Sequence, residues 1–160
     1  MRQVPFRAAL GSLMYLAMGS RPDIAFVVST LAKFTENPSL PHWEALKRVY
    51  RYLIGAKSWS LTYGTQTKSL VGYADADGAS QEHRHAITGY VFLIDGGAIS
   101  WSSQKQELVT LSTTETKYIA STHAAKEALW LHRLISKIFE LLRNPITLLQ
   151  PIRNCAYQRW

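Results

Sequence analysis

The chain has 160 residues, 47% of them hydrophobic and 18% charged, a balance that fits a globular protein and excludes a wholly disordered one. That length suits one domain, or a small domain with an appendage, and can bury roughly two thirds of the unfolded chain's surface. A formal charge of +7 favours polyanionic partners, no apolar run is long enough to span a bilayer, and a lone Cys155 excludes an internal disulfide and a cysteine-based zinc site.

At the N-terminus, Arg2 and Arg7 around the run "AALGSLMYLAMGS" have the outline of a signal peptide. The helical spacing of Phe6, Leu10, Leu13, Met14 and Ala17 instead predicts an amphipathic helix from about Pro5 to Met18, and an intracellular setting, cytoplasmic or nuclear, fits. In "SRPDIAFVVSTLAKFTENP", Pro22 suits the first helical position and Asp23 the positive end of the dipole. Ile24, Val27, Val28, Leu31 and Phe34 form the apolar face of this second helix, which Asn37-Pro38 ends. A third helix follows in "SLPHWEALKRVYRYLIGAK", opened by Ser39 or Leu40 before Pro41 and stopped at Gly55, with Trp43, Leu46, Tyr50 and Leu53 inward. Lys47, Arg48 and Arg51 share its polar side, with Glu44 to balance them. They form either a solvated face or a basic ridge for a phosphate backbone.

The period then shortens. "WSLTYG", "SLVGYADAD", "ITGYVFLIDGG" and "AISWSSQ" predict strands near 60–63, 69–75, 87–95 and 98–103, with Gly96-Gly97 marking a tight hairpin. The first long strand ends in two acids, Asp75 and Asp77. Next comes "LSTTETKYIA", where Ser112 and Glu115 have the spacing of a capping box: Ser112 accepts from the backbone near Glu115, and Glu115 reaches back to the backbone of Ser112. That helix runs, with a break, from Thr113 to about Leu142. The box accounts for Glu115 but leaves Lys117 on the first turn unexplained.

Seven segments, "LGSLMYL", "SRPDIAFVVSTLAKF", "HWEALKRVYRYLIG", "LVGYADADGAS", "TGYVFLIDGGAISWSSQKQ", "LSTTETKYIA" and "AAKEALWL", resemble in order and spacing the C-terminal part of the Pol polyprotein of copia-type LTR retrotransposons. The resemblance covers about residues 5 to 140. It implies that residues 1–57 are a helical segment from the end of the reverse transcriptase, its thumb and connection. Residues 58–148 would be a partial ribonuclease H domain and 149–160 a divergent tail. The implied fold class is α/β, an incomplete RNase H-like layer of mixed sheet and packing helices behind a helical segment.

Such a domain cuts the RNA strand of an RNA–DNA hybrid with two divalent ions, Mg2+ in the family, held by carboxylates. The resemblance places the first acid at Asp75, with Asp77 a weaker metal ligand. The family helix usually reads S-T-E-A-E-Y, and its second Glu falls at Lys117 here. The third acid falls at Pro151 in "NPITLLQPIRNCAYQRW", and beyond Leu148 the resemblance stops, as after a frameshift or a mispredicted exon. Two catalytic acids are thus absent, and magnesium is expected to bind poorly.

The family's Trp after the second Asp is Gly78 here, and its Asp-Arg-Arg-Ser run is His83-Arg84-His85-Ala86. His83 and His85 with Asp75 or Asp77 are a conceivable transition-metal set, although loop histidines seldom are. His123 and His132 lie too far apart on the helix to share a face. Two function classes follow: a nucleic-acid enzyme domain, or a non-catalytic binding module or decayed remnant derived from one. In either case an RNA–DNA hybrid or other nucleic acid is the expected partner, held through charge by Lys47, Arg48, Arg51, Lys105 and Arg84, alongside the rest of Pol in an intact element. Lys117, beside Asp75 in that arrangement, is expected to act as its internal counter-ion.

Overall fold

The first helix forms because its apolar residues return to one side every turn. In the computed structural model, which describes residues 5–64, 69–77, 85–139 and 146–149, helix α1 spans Phe6–Gly19 and buries Phe6, Leu10, Leu13 and Ala17. Met14, expected on that face, is exposed, because the stripe of steps four, three and four runs past it. A 3-10 turn, Pro22–Ile24, leads into α2, Ala25–Ala32, and α3 spans Leu40–Gly55. Phe34 lies beyond α2 and is exposed, not on its buried face. After Leu31 the Phe34 and Thr35 amides bond to Leu31 and Ala32, three residues back, and the helix tightens out of its ladder. Phe34 stacks instead on the His42 ring, centroids 3.8 Å apart.

Ser39 caps α3, with Pro41 in the first turn and His42 completing a capping box: the Ser39 amide donates to His42 Nδ1 at 3.0 Å. Leu46 and Val49 are buried there, with Trp43, Tyr50 and Leu53 packed around them, and Tyr50 donates to the Ala9 carbonyl at 2.9 Å. Val49 had no place in the expected apolar face. Gly55 is the last helical residue and Ala56 the cap, so glycine is not what turns the chain.

By its contacts the chain divides into two units, Met1–Leu61 and Thr62–Trp160, against the expected division at 57/58. The second is built on a four-stranded mixed sheet. Strands β1 (Leu70–Asp77), β2 (Ile87–Ile94) and β3 (Gly97–Lys105) form an antiparallel meander. After them comes α4 (Thr113–Phe139), then β4 (Thr147–Leu149), which pairs parallel to β1 and gives the order β3-β2-β1-β4. Strand alternation puts Leu70, Gly72, Ala74 and Ala76 on one side, where the register continues the Gly72 row into Phe92, Ser100 and Leu148. Against this side α4 lays Ala124, Ala128, Leu131 and Ile135. Its alanines let the helix approach closely.

Three expectations change here. No strand forms at 60–63: the Tyr63 hydroxyl donates to the Ala98 carbonyl at 2.8 Å and the Gly64 amide to Asp95, in place of a ladder. The hairpin turn is Asp95-Gly96, one residue earlier than Gly96-Gly97, since both its residues have positive φ (53° and 84°), as a two-residue turn of matching twist requires. Gly97 opens β3, where a β-carbon would strike the Tyr63 ring. Helix α4 has no break between Thr113 and Phe139, and its far end lies outside the described residues.

Candidate functional site

Asp75 and Asp77 project from the side of β1 that α4 does not cover, alternating with buried Ala74 and Ala76. The strand continues through Asp77, which pairs with Ile87, so Asp75 does not close it and Asp77 is not in a turn. Asp75 Oδ1 accepts from the amide of Ala76 at 2.8 Å. Lys117 Nζ lies 3.7 Å from the same oxygen, its side chain 23% exposed against 57% for Asp75. That separation is a charge contact rather than a short hydrogen bond. With the carboxylate so open to solvent, it contributes at most about 1 kcal/mol.

The start of α4 is what brings Lys117 there. The Glu115 amide donates to Ser112 Oγ at 3.1 Å, as the capping box requires. The return bond differs: Glu115 Oε2 accepts from the amide of Leu111 at 3.0 Å rather than from Ser112, because the loop preceding the helix folds its own N–H toward that carboxylate. Beneath this turn lies a polar group that periodicity does not reveal. Gln106 is buried, and its Nε2 donates to Thr88 Oγ1 and to the Thr116 carbonyl, both at 2.9 Å. Its own amide donates to the Ala86 carbonyl, and Thr116 Oγ1 lies 2.6 Å from Thr110 Oγ1. Gln106 therefore fastens the first turn of α4 to the ends of β2 and β3. The one hint of this in the sequence is Thr88, a polar residue at an inward strand position.

Lys105 ends β3, in one row with Ile87 and Asp77, and shares the uncovered side of the sheet with Asp75. Lys47, Arg48 and Arg51 belong to the first unit. Lys47 Nζ is 2.6 Å from Glu44 Oε1, while Arg48 and Arg51 are exposed. Lys47, then Arg51 and Arg48, hold the Glu44 carboxyl below its ordinary range. His85 engages the Gln106 carbonyl through Nδ1 at 3.0 Å, and His83, Arg84 and Pro151 lie outside the described residues. His123 is exposed and His132 partly buried, in separate turns of α4. No cluster of three His, Cys, Asp or Glu that could hold a metal occurs among the described residues.

A second polar constellation, also missed from sequence, sits in the first unit. Arg21 and Tyr52 both bond Asp23 Oδ2, at 2.6 and 2.8 Å, and Arg21 reaches the Ala56 carbonyl at 3.3 Å. Beside it Ser20, Arg21, Pro22, Asp23, Trp59, Ser60 and Leu61 line an open cavity of about 160 Å³. The hydrogen bonds from Arg21, and then from Tyr52, hold the Asp23 carboxyl below its ordinary range, against the effect of burial. A carboxyl lowered in the folded state stabilises above its unfolded value, about 3.9, and that stability is lost as pH falls through the folded one. The urea midpoint of the helical signal is expected to drop as pH falls below about 5, and Asp23→Asn to flatten that drop. An equal drop in the variant would assign it to other carboxylates.

No family model matches the chain, and no solved structure matches it. Related proteins do. The chain is 47% identical over 139 residues to the retrovirus-related Pol polyprotein from transposon TNT 1-94 of Nicotiana tabacum, covering 86% of this chain and 10% of that one. It is 37% identical over 142 residues to the Pol polyprotein from transposon RE2 of Arabidopsis thaliana, covering 88% and 10%. It is 45% identical over 133 residues to a protein of Plasmopara viticola named secreted RxLR effector protein 161, covering 82% of this chain and 94% of that one. Over most of its own length the chain is thus similar to retrotransposon Pol polyproteins, and it spans about a tenth of the length of the Pol relatives it matches.

Proposed function

We propose that the chain is the copia-type segment joining the end of the reverse transcriptase to ribonuclease H, in a form that keeps charge-based binding to nucleic acid and has lost cleavage. The meander β1-β2-β3, the helix α4 and a strand parallel to β1 are the connectivity such a layer would use. One observation carries the loss of cleavage: an ammonium stands 3.7 Å from Asp75, on the helix turn where the resemblance expects the second carboxylate. This donor set does not fit magnesium, which takes hard oxygen ligands. Unit charges about 4 Å apart interact by roughly 4 kcal/mol at an effective dielectric near 20, and a divalent ion doubles the term. Solvent around Asp75 reduces that figure without changing its sign.

The test is a magnesium titration with an RNA–DNA hybrid cleavage assay on the parent and on Lys117→Glu. The parent is expected to show no cleavage. Lys117→Glu should bind magnesium a few-fold more tightly, as a repulsive charge becomes an attractive one, and still not cleave, since the third acid is missing. Metal-dependent cleavage by the parent, abolished in Asp75→Asn, would sink the reading.

Binding of hybrid or duplex is expected to be sequence-independent and to weaken steeply with salt, because each neutralised phosphate releases counterions. Changing Lys47, Arg48 and Arg51 together to Gln should reduce the slope of log K against log salt by about one for each phosphate that is no longer neutralised. With Lys47 already paired to Glu44, Arg48 and Arg51 are the larger contributors. An unchanged slope would return the ridge to a solvated face.

A further inference from the structure

The inward side of α4 is fully used against the sheet. One flank, between the buried face and the outward cations, is apolar and exposed. Trp130, Leu134 and Ile138 recur at four-residue steps and are 57%, 38% and 61% exposed. A helix packed on one face of a sheet normally turns polar residues outward. A contiguous apolar strip there marks a contact surface. Exposed Lys126, Arg133 and Lys137, at steps of seven and four, follow one border of the strip. The acids of α4 do not offset them: Glu115 is held at the helix start by the Leu111 amide, and Glu127 accepts from Ser100 Oγ on β3 at 2.7 Å.

We propose that this face docks an amphipathic helix of another protein. The partner's apolar stripe would pack on Trp130, Leu134 and Ile138, and its acidic flank would lie along Lys126, Arg133 and Lys137. The i, i+4, i+8 spacing is the footprint of helix-on-helix recognition, and the cationic border selects the sign of the flank. A second copy of this chain suits the face less well, since each copy brings a formal charge of +7. Single-stranded nucleic acid would answer the cations but needs flat rings to stack its bases, and two of the three apolar side chains here are aliphatic. The surface requires neither a metal nor a catalytic carboxylate.

The test uses the full chain and two fluorescein-labelled synthetic helices that share one leucine stripe, flanked in one by glutamates and in the other by lysines. Fluorescence anisotropy is expected to show saturable binding of the glutamate helix and at least tenfold weaker binding of the lysine helix. Trp130→Ser with Leu134→Ser should weaken the glutamate helix at least tenfold while the far-ultraviolet circular dichroism shows the helices retained. Arg133→Glu with Lys137→Glu should invert the preference between the two helices, an outcome that a general loss of folding cannot mimic. Equal binding of both helices by the parent, or an unaltered preference after charge reversal, overturns the proposal. So does self-association abolished by the serine pair, which would assign the face to a second copy. Binding of oligothymidylate that the serine pair removes, with neither helix bound, would assign it to nucleic acid.

Discussion

Phe92→Ala is expected to remove about 3–5 kcal/mol from the second unit, the cost of deleting a large ring from a packed interior. Phe92 is fully buried between the row mates Gly72 and Ser100, with the Tyr90 ring 5.7 Å away and the alanine face of α4 above. Little can move in to fill the space: a neighbouring glycine has no side chain, and the alanines have no longer rotamers. Domains of this size are stable by only about 5–15 kcal/mol, so the loss should bring the sheet close to unfolding at room temperature. Amide exchange measures it directly. The β1–β3 amides should lose protection while those of α1 and α3 keep theirs, because the two cores share no residue. A loss below about 1 kcal/mol would contradict the packing described.

Gln106→Leu is the second large effect and has a different cause. The substitution fits by size but strands the Thr88 hydroxyl, at a cost of about 1–3 kcal/mol when buried without a partner, while the Thr116 carbonyl keeps its bond within α4. Gln106 Oε1 has no hydrogen-bond partner among the described residues, so its removal relieves part of that penalty, and a net loss of about 1 kcal/mol is expected. Adding Thr88→Val should recover part of it, since a bond replaced on both sides costs less than one cut in half. Exchange at Thr113–Lys117 should quicken more than in the middle of α4. Equal protection in parent and variant would show that the helix start is held by its own cap alone.

These two residues mark where the sequence could and could not be read. Phe92 falls at an alternating position in an apolar run, and periodicity, of 3.6 residues in α1 and α3 and of two in the antiparallel strands, exposed their faces. Gln106 follows a polar stretch, and its burial depends on Thr88 and Thr116, separated from it by 18 and 10 positions. No local pattern announces such a pairing. The 60–63 segment failed for a related reason: alternation in "WSLTYG" suggested a strand, but a side-chain hydroxyl binds Ala98 there instead of a ladder. Asp75 and Lys117 became neighbours in expectation only through the resemblance. Spacing alone would have left them unrelated. The strip on α4 was legible as helix but not as surface, because leucine and tryptophan at that spacing normally mean core.

The parallel pairing of β4 with β1 also bears on the order of folding. β2 and β3 meet across the two-residue Asp95-Gly96 turn, so their pairing closes a short loop, whereas Val71 meets Thr147 only after the whole meander and α4 lie between them. Loop closure grows more costly with length, and late-closing pairs form once earlier ones have shortened the search. The meander should therefore assemble first, α4 should dock on its Leu70–Ala76 side next, and the three residues of β4 should join last. During synthesis, β1 would spend that interval as an open edge, its amides and carbonyls on one flank available to any other extended strand.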